Sequence, residues 1–251
     1  MHQRRPGTHE EIEGFYCPGV DAWLGIASRR QRIRPGDGEQ PPRVDQSTPW
    51  VRGVEDPDTV RSHCQGECVV LEERIQELWA QADRIGRPVV AHRNPGVSAE
   101  FLEQCFGVSV PHDVAVWFGW CNGIAYHPNQ TQDEAALVPG YEPLTAEESA
   151  ALRGEYPEDP VLGSRWFPVL GTGGGDFYAV TENRETKCSP VVSVMIGEAT
   201  RIAANSLDEL LDIFIECFDS GIFYNDADGS FQADDERWIE LEESAVSDGR
   251  S

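Results

Sequence analysis

Lysine is nearly missing from this chain. Lys187 stands alone against nineteen arginines, and the 251 residues hold 20 basic side chains against 44 acidic ones, a formal charge of −24. Contact with nucleic acid needs clustered Lys and Arg to neutralise phosphates, so direct nucleic-acid binding is excluded as a role. An anionic membrane surface is disfavoured for the same reason. No apolar run approaches the length of a membrane span, and the N-terminal MHQRRPGTHEEIEG lacks the apolar core of a signal peptide. The seven cysteines (17, 64, 68, 105, 121, 188, 217) are odd in number and widely spaced. They form no disulfide framework, which suits a reducing compartment, and the expected location is cytoplasmic. The preference for arginine over lysine reads as the codon bias of a GC-rich genome.

The signatures of catalysis are missing too. The six histidines (2, 9, 63, 92, 112, 127) have no recognisable partners, and neither a G-x-S-x-G elbow nor an H-E-x-x-H helix occurs. Acidic neighbours such as Asp133-Glu134, Glu147-Glu148 and Asp234-Asp235 do not converge on one atom in regular structure and read as solvated faces. His63, Cys64 and Cys68 offer three metal ligands, but the second pair of a zinc site is absent. Asn225-Asp226-Ala227-Asp228-Gly229 hints at a calcium loop. Aligned on its glycine, that loop would start at Tyr224, which has no carboxylate, so an acidic turn is expected. No catalytic residue, cofactor or metal is assigned.

What is present is a regular pattern from residue 67 onward. Residues 1–66 carry seven of the 17 prolines and little apolar periodicity, and read as a poorly ordered extension. A second reading has translation begin near Val69 or Val70, which would make that extension foreign to the protein. Leu71, Ile75, Leu78, Trp79 and Ala82 then mark an amphipathic helix ending near Gly86-Arg87-Pro88. Ser98 caps a helix through Phe106, and Pro111 opens another that ends at Asn122-Gly123. Ile124–Val138 has weak strand character. Capping boxes at Thr145-x-x-Glu148 and Ser206-x-x-Glu209 open two more helices, the second carrying Leu207, Leu210, Leu211, Phe214, Ile215 and Phe218. Strands are expected at Val191–Met195 and toward Arg201–Ala203. Residues 225–251 read as an acidic tail with a weak helix around Trp238, Ile239 and Leu241. The order predicts an α+β fold, helices packed on a mainly antiparallel sheet, in a single domain over 67–224.

The most specific stretch is Trp166–Val180, WFPVLGTGGGDFYAV. Two strand-forming runs flank a loop of four glycines, which is a β-hairpin. A phosphate loop would require a following helix and a Lys, and neither is there.

Taken in order, Val110-Pro111 before a helix, Asn122-Gly123 at its end, Trp166-Phe167-Pro168-Val169, Gly173-Gly174-x-Asp176-Phe177-Tyr178, and Ile202-Ala203 leading through Ser206 into Leu207-x-x-Leu210-Leu211 resemble the SUKH superfamily. That superfamily holds the Smi/Knr cell-wall regulators and many bacterial toxin-immunity proteins. The resemblance spans about residues 69–224. It implies helices packed on one sheet and a non-catalytic, protein-binding role, such as neutralising a cognate toxin, frequently a nuclease. The acidic charge suits a basic toxin of that kind. A regulatory or scaffold protein using the same domain is the alternative. Candidate partner contacts are Asp133, Glu134, Glu142, Asp176 and Tyr178, with Asp176 equally suited to capping its own loop. Trp166 is expected in the core.

Overall fold

A computed structural model describes residues 57–156, 159–182 and 189–248, with side chains of the first helix from Leu71 onward. Residues 1–56 and the His63, Cys64 and Cys68 side chains lie outside that range. The first described element, α1 (Pro57–Arg84), starts inside the segment read as irregular. Leu71, Ile75, Leu78 and Ala82 are buried along its inner face. A 3-10 turn (Pro88–His92), α2 (Ala99–Phe106) and α3 (His112–Trp120) follow. Ser98 accepts the Phe101 N–H, and Gly107 ends α2 at φ +67°, a conformation that favours glycine.

The weak strand expected at Ile124–Val138 is not formed. Only the bridges Arg93↔Ile124 and Val138↔Tyr141 are extended pairings there, and between them lies the one-turn helix α4 (Gln132–Ala135). Thr131 and Glu134 make a reciprocal capping box that supplies the helix with its terminal hydrogen bonds. Ala135 through Val138 are all buried, so the burial does not alternate as it would along a half-exposed strand.

Five strands then form one antiparallel sheet in sequence order: β1 (Glu142–Pro143), β2 (Trp166–Gly171), β3 (Phe177–Thr181), β4 (Val191–Val194) and β5 (Arg201–Ala204). The fold is α+β. Helix α5 (Ala146–Glu155) links β1 to β2 and packs on β2, where the Ser149 hydroxyl donates to the Pro168 carbonyl at 2.6 Å. Pro168 lacks an N–H and sits where the β2–β3 register shifts and β1 does not reach, so no ladder bond is lost.

One sheet face (Phe167, Tyr178, Val180, Val191) joins the main core with α1, α3 and α6 (Leu207–Asp219). Leu207, Leu210, Leu211, Phe214, Cys217 and Phe218 bury the inner face of α6, each large side chain contributing about 1.5–3 kcal/mol. The other sheet face (Trp166, Phe177, Ala179, Val192, Val194) meets Leu162 and the edge of α5. Trp166 is buried there and stacks on Phe177 at 5.5 Å, as expected of a core residue.

Residues 225–248 are folded into the domain, which corrects their reading as a tail. A hairpin of β6 (Phe223–Asn225) and β7 (Phe231–Ala233) leads into α7 (Asp235–Asp248). Phe231 and Trp238 enter the main core, and Val246 is buried. The turn between β6 and β7 is the acidic turn expected from the sequence. The Asp226 carboxylate accepts the N–H groups of Asp228 and Ser230, both at 2.9 Å, so it is spent on its own backbone.

Candidate protein-docking surface

The glycine loop holds itself closed. The Thr172 hydroxyl accepts the N–H groups of Gly174 (3.2 Å) and Asp176 (3.1 Å), and the Thr172 carbonyl accepts that of Gly175 (3.1 Å). Those donors face inward, and a phosphate cradle needs them aimed at a common point outside the loop. Thr172, which the sequence did not single out, is thus the residue that shapes this turn. Gly175 takes φ +95°. A Cβ at Gly173 would lie 2.9 Å from the side-chain oxygen of Gln132, the far end of a flexible side chain.

Asp176 does not cap its own loop. Its carboxylate accepts the Ile196 N–H at 2.7 Å, tying the β2–β3 loop to the β4–β5 loop. Gln132 at the start of α4 donates to the Gly140 carbonyl and lies against Gly173, so α4 meets the same end of the sheet. The exposed Ile196, Gly173 and Gly174 and the half-buried Asp176 share this rim.

The remaining candidates also have partners within the fold. Asp133 receives the Arg87 guanidinium at 3.0 Å and the Phe231 N–H at 2.8 Å. Arg87 further donates to the Asp133 carbonyl and to the Asn225 side chain, and lies 4.2 Å over the Phe231 ring. The residue is nearly sealed from water, so this one guanidinium fastens α1, α4 and the last hairpin together. Glu134 is occupied by the capping box, whose Thr131 hydrogen bonds hold its carboxyl below the usual range.

Glu142 and Tyr178 were expected as exposed contacts, and both are buried. Glu142 accepts the Tyr126 hydroxyl, and burial, followed by the charge of Glu148, pushes its carboxyl up to about 7. Tyr178 faces the core because strand alternation turns it to the helix side, where it donates to Glu242 on α7 at 2.7 Å. Pro111 opens α3 as its N-cap residue. Asn122 accepts the Ala146 N–H at 2.8 Å, and Gly123 (φ +74°) has no room for a Cβ beside Thr145. These two motif residues clamp the end of α3 to the start of α5.

The described arginines are largely absorbed by such contacts. Arg165 pairs with Glu182 and Arg201 with Glu242; Arg74 and Arg84 pair with Asp212 and Asp219 across the α1–α6 seam. Arg93 lies 4.4 Å over the Trp120 ring. Carboxylates remain on the outer helix surfaces. Glu73 and Glu77 on α1, Glu216 on α6, and Glu236, Glu240 and Glu243 on α7 are exposed, and α6 packs against both α1 and α7. This acidic layer is the candidate docking surface. Its signal in the sequence is helical spacing (236, 240, 243 and 208, 212, 216), which the sequence analysis did not single out.

Among the described residues, no group of three or more His, Cys, Asp or Glu side chains converges as a metal site. Among the described residues, no helix is long and apolar enough to cross a membrane. The thiols of Cys121 and Cys217 are buried and pushed up to about 12, chiefly by desolvation, which leaves them unreactive. No protein-family model matches this chain, and no curated protein does. The likeness to the SUKH superfamily therefore stands on the order and spacing of the motifs in the sequence.

Proposed function

We propose that this chain is a non-catalytic protein-binding domain that takes a basic protein on its acidic helix layer, and more specifically that it is a cytoplasmic immunity protein neutralising a cognate toxin. One observation carries the reading: exposed carboxylates lie on three helices, α6 packed against both α1 and α7, while the described arginines are largely engaged by carboxylates and aromatic rings of the fold. Such a surface accelerates encounter with a positively charged partner and rejects acidic ones. A basic nuclease has the matching chemistry, since a face evolved for phosphate accepts carboxylates in its place. The motif order that resembles immunity proteins supports the same reading.

Co-expression tests it. A toxin-like protein encoded beside this chain should arrest growth alone and be neutralised when this chain is present, with a stoichiometric complex recovered. Continued arrest with no complex would reject the immunity role. Recovery of a housekeeping protein in its place would favour the regulatory or scaffold alternative.

A further inference from the structure

We propose that His92 and His127 form an open, two-imidazole site for a divalent transition-metal ion such as nickel or copper. Their Nε2 atoms lie 2.9 Å apart. With metal–nitrogen bonds of about 2.0–2.1 Å, two ligands at a right angle stand about 2.9 Å apart, whereas tetrahedral ligands stand about 3.3 Å apart. The separation therefore suits the neighbouring positions of an octahedral or square-planar ion. The same distance serves a hydrogen bond between two neutral rings, and the two uses compete for the same lone pair.

Both side chains leave hydrogen-bonded backbone. The His92 carbonyl accepts the Ala125 N–H at 2.8 Å, and Arg93 bridges Ile124 in antiparallel register, so residues 92–94 and 123–125 run side by side. The His127 N–H donates to Gln130 Oε1 at 3.1 Å, and the Gln130 N–H returns to the His127 carbonyl. Two imidazoles, one at the end of the 3-10 turn and one at the start of the His127–Gln130 turn, are thus pre-positioned by hydrogen-bonded backbone, and little ordering remains to be done on binding. The rings meet edge-on with centroids 3.7 Å apart. Around one ion the centroids would stand about 4.5 Å apart, so the exposed His127 ring swings outward by about 1 Å on loading. Glu134, on the next turn of chain, adds negative charge beside His127. The described residues supply two ligands, and water or a side chain of a bound partner completes the shell.

Ni²⁺ alone, added to the full chain, is the probe; it prefers octahedral geometry and broadens nearby amide resonances. Below stoichiometric nickel, the amides of residues 91–94 and 124–128 should broaden first. His127→Ala should abolish that pattern and weaken nickel binding at least tenfold by calorimetry. His92→Gln should do the same, with the amide spectrum otherwise native in both variants. Broadening centred elsewhere, or unchanged nickel affinity in either variant, would overturn the assignment.

Discussion

The hydroxyl of Tyr178 on β3 donates a 2.7 Å hydrogen bond to the carboxylate of Glu242 on α7, 64 residues further along the chain. Glu242 also pairs with Arg201 of β5, so the last helix is locked onto two strands of the sheet by one buried carboxylate. Desolvation raises the Glu242 carboxyl from its ordinary value against the pull of Arg201, so the charge there depends on its partners. Glu242→Ala should cost about 3 kcal/mol, because the buried Tyr178 hydroxyl and the half-buried Arg201 guanidinium both lose their partner. Urea unfolding with an unchanged slope checks this, and a loss under about 0.5 kcal/mol would contradict it. A chain ending at Tyr224 should fail to fold, since it lacks Phe231, Trp238 and Val246.

That helix also shows where the sequence was opaque. Residues 225–251 are rich in acids, and the inward stripe of α7 includes Glu242 itself, so composition read as a solvated tail. Only a partner distant in sequence makes a carboxylate a core residue. Glu142 and Tyr178 failed for a related reason: their residue types suggested surface contacts, while strand placement buried them. By contrast, the Thr145–Glu148 capping box and the continuous apolar face of α6 are local, and so α5 and α6 were legible, although Glu209 reaches back to the Asn205 N–H and not to that of Ser206. The hairpin was legible too, although the Thr172 hydroxyl that closes it was hidden among its glycines.

Arg87 should tolerate no substitute. Lys can reach one acceptor but cannot serve Asn225 and Asp133 together while lying flat on Phe231. Arg87→Lys should lose about 2 kcal/mol and Arg87→Met about 3 kcal/mol. Equal stability of Arg87→Lys and wild type in thermal unfolding would refute this role.

Stability should fall with pH through one identifiable group. The Glu142 carboxyl is raised in the folded state from 4.5 to about 7. Below about 4.5 both folded and unfolded forms hold the proton and the contribution is fully present. As pH climbs toward 7 the unfolded chain releases it first, and the folded state loses up to about 3 kcal/mol. Glu142→Gln keeps an acceptor for the Tyr126 hydroxyl and removes this slope. Unfolding free energies at pH 5 and pH 8 should therefore differ less in the variant than in wild type. Parallel pH profiles would contradict the prediction.

Two glycines of the family-like motif should behave oppositely. Gly123→Ala places a Cβ 2.5 Å from the Thr145 methyl at φ +74° and should cost about 2 kcal/mol or more. Gly174→Ala meets only the Thr172 hydroxyl at 3.4 Å and takes no positive φ, so stability should change by under about 0.5 kcal/mol. Thermal unfolding of the two variants distinguishes them.

The central claim is that the acidic helix layer docks a basic protein, and association kinetics test it most directly. With the captured partner, the association rate should drop at least tenfold as salt rises from about 0.05 to about 0.5 M. Replacing Glu236, Glu240 and Glu243 together by Gln should lower the low-salt rate severalfold while leaving unfolding unchanged. A rate indifferent to salt and to these three residues would contradict the account.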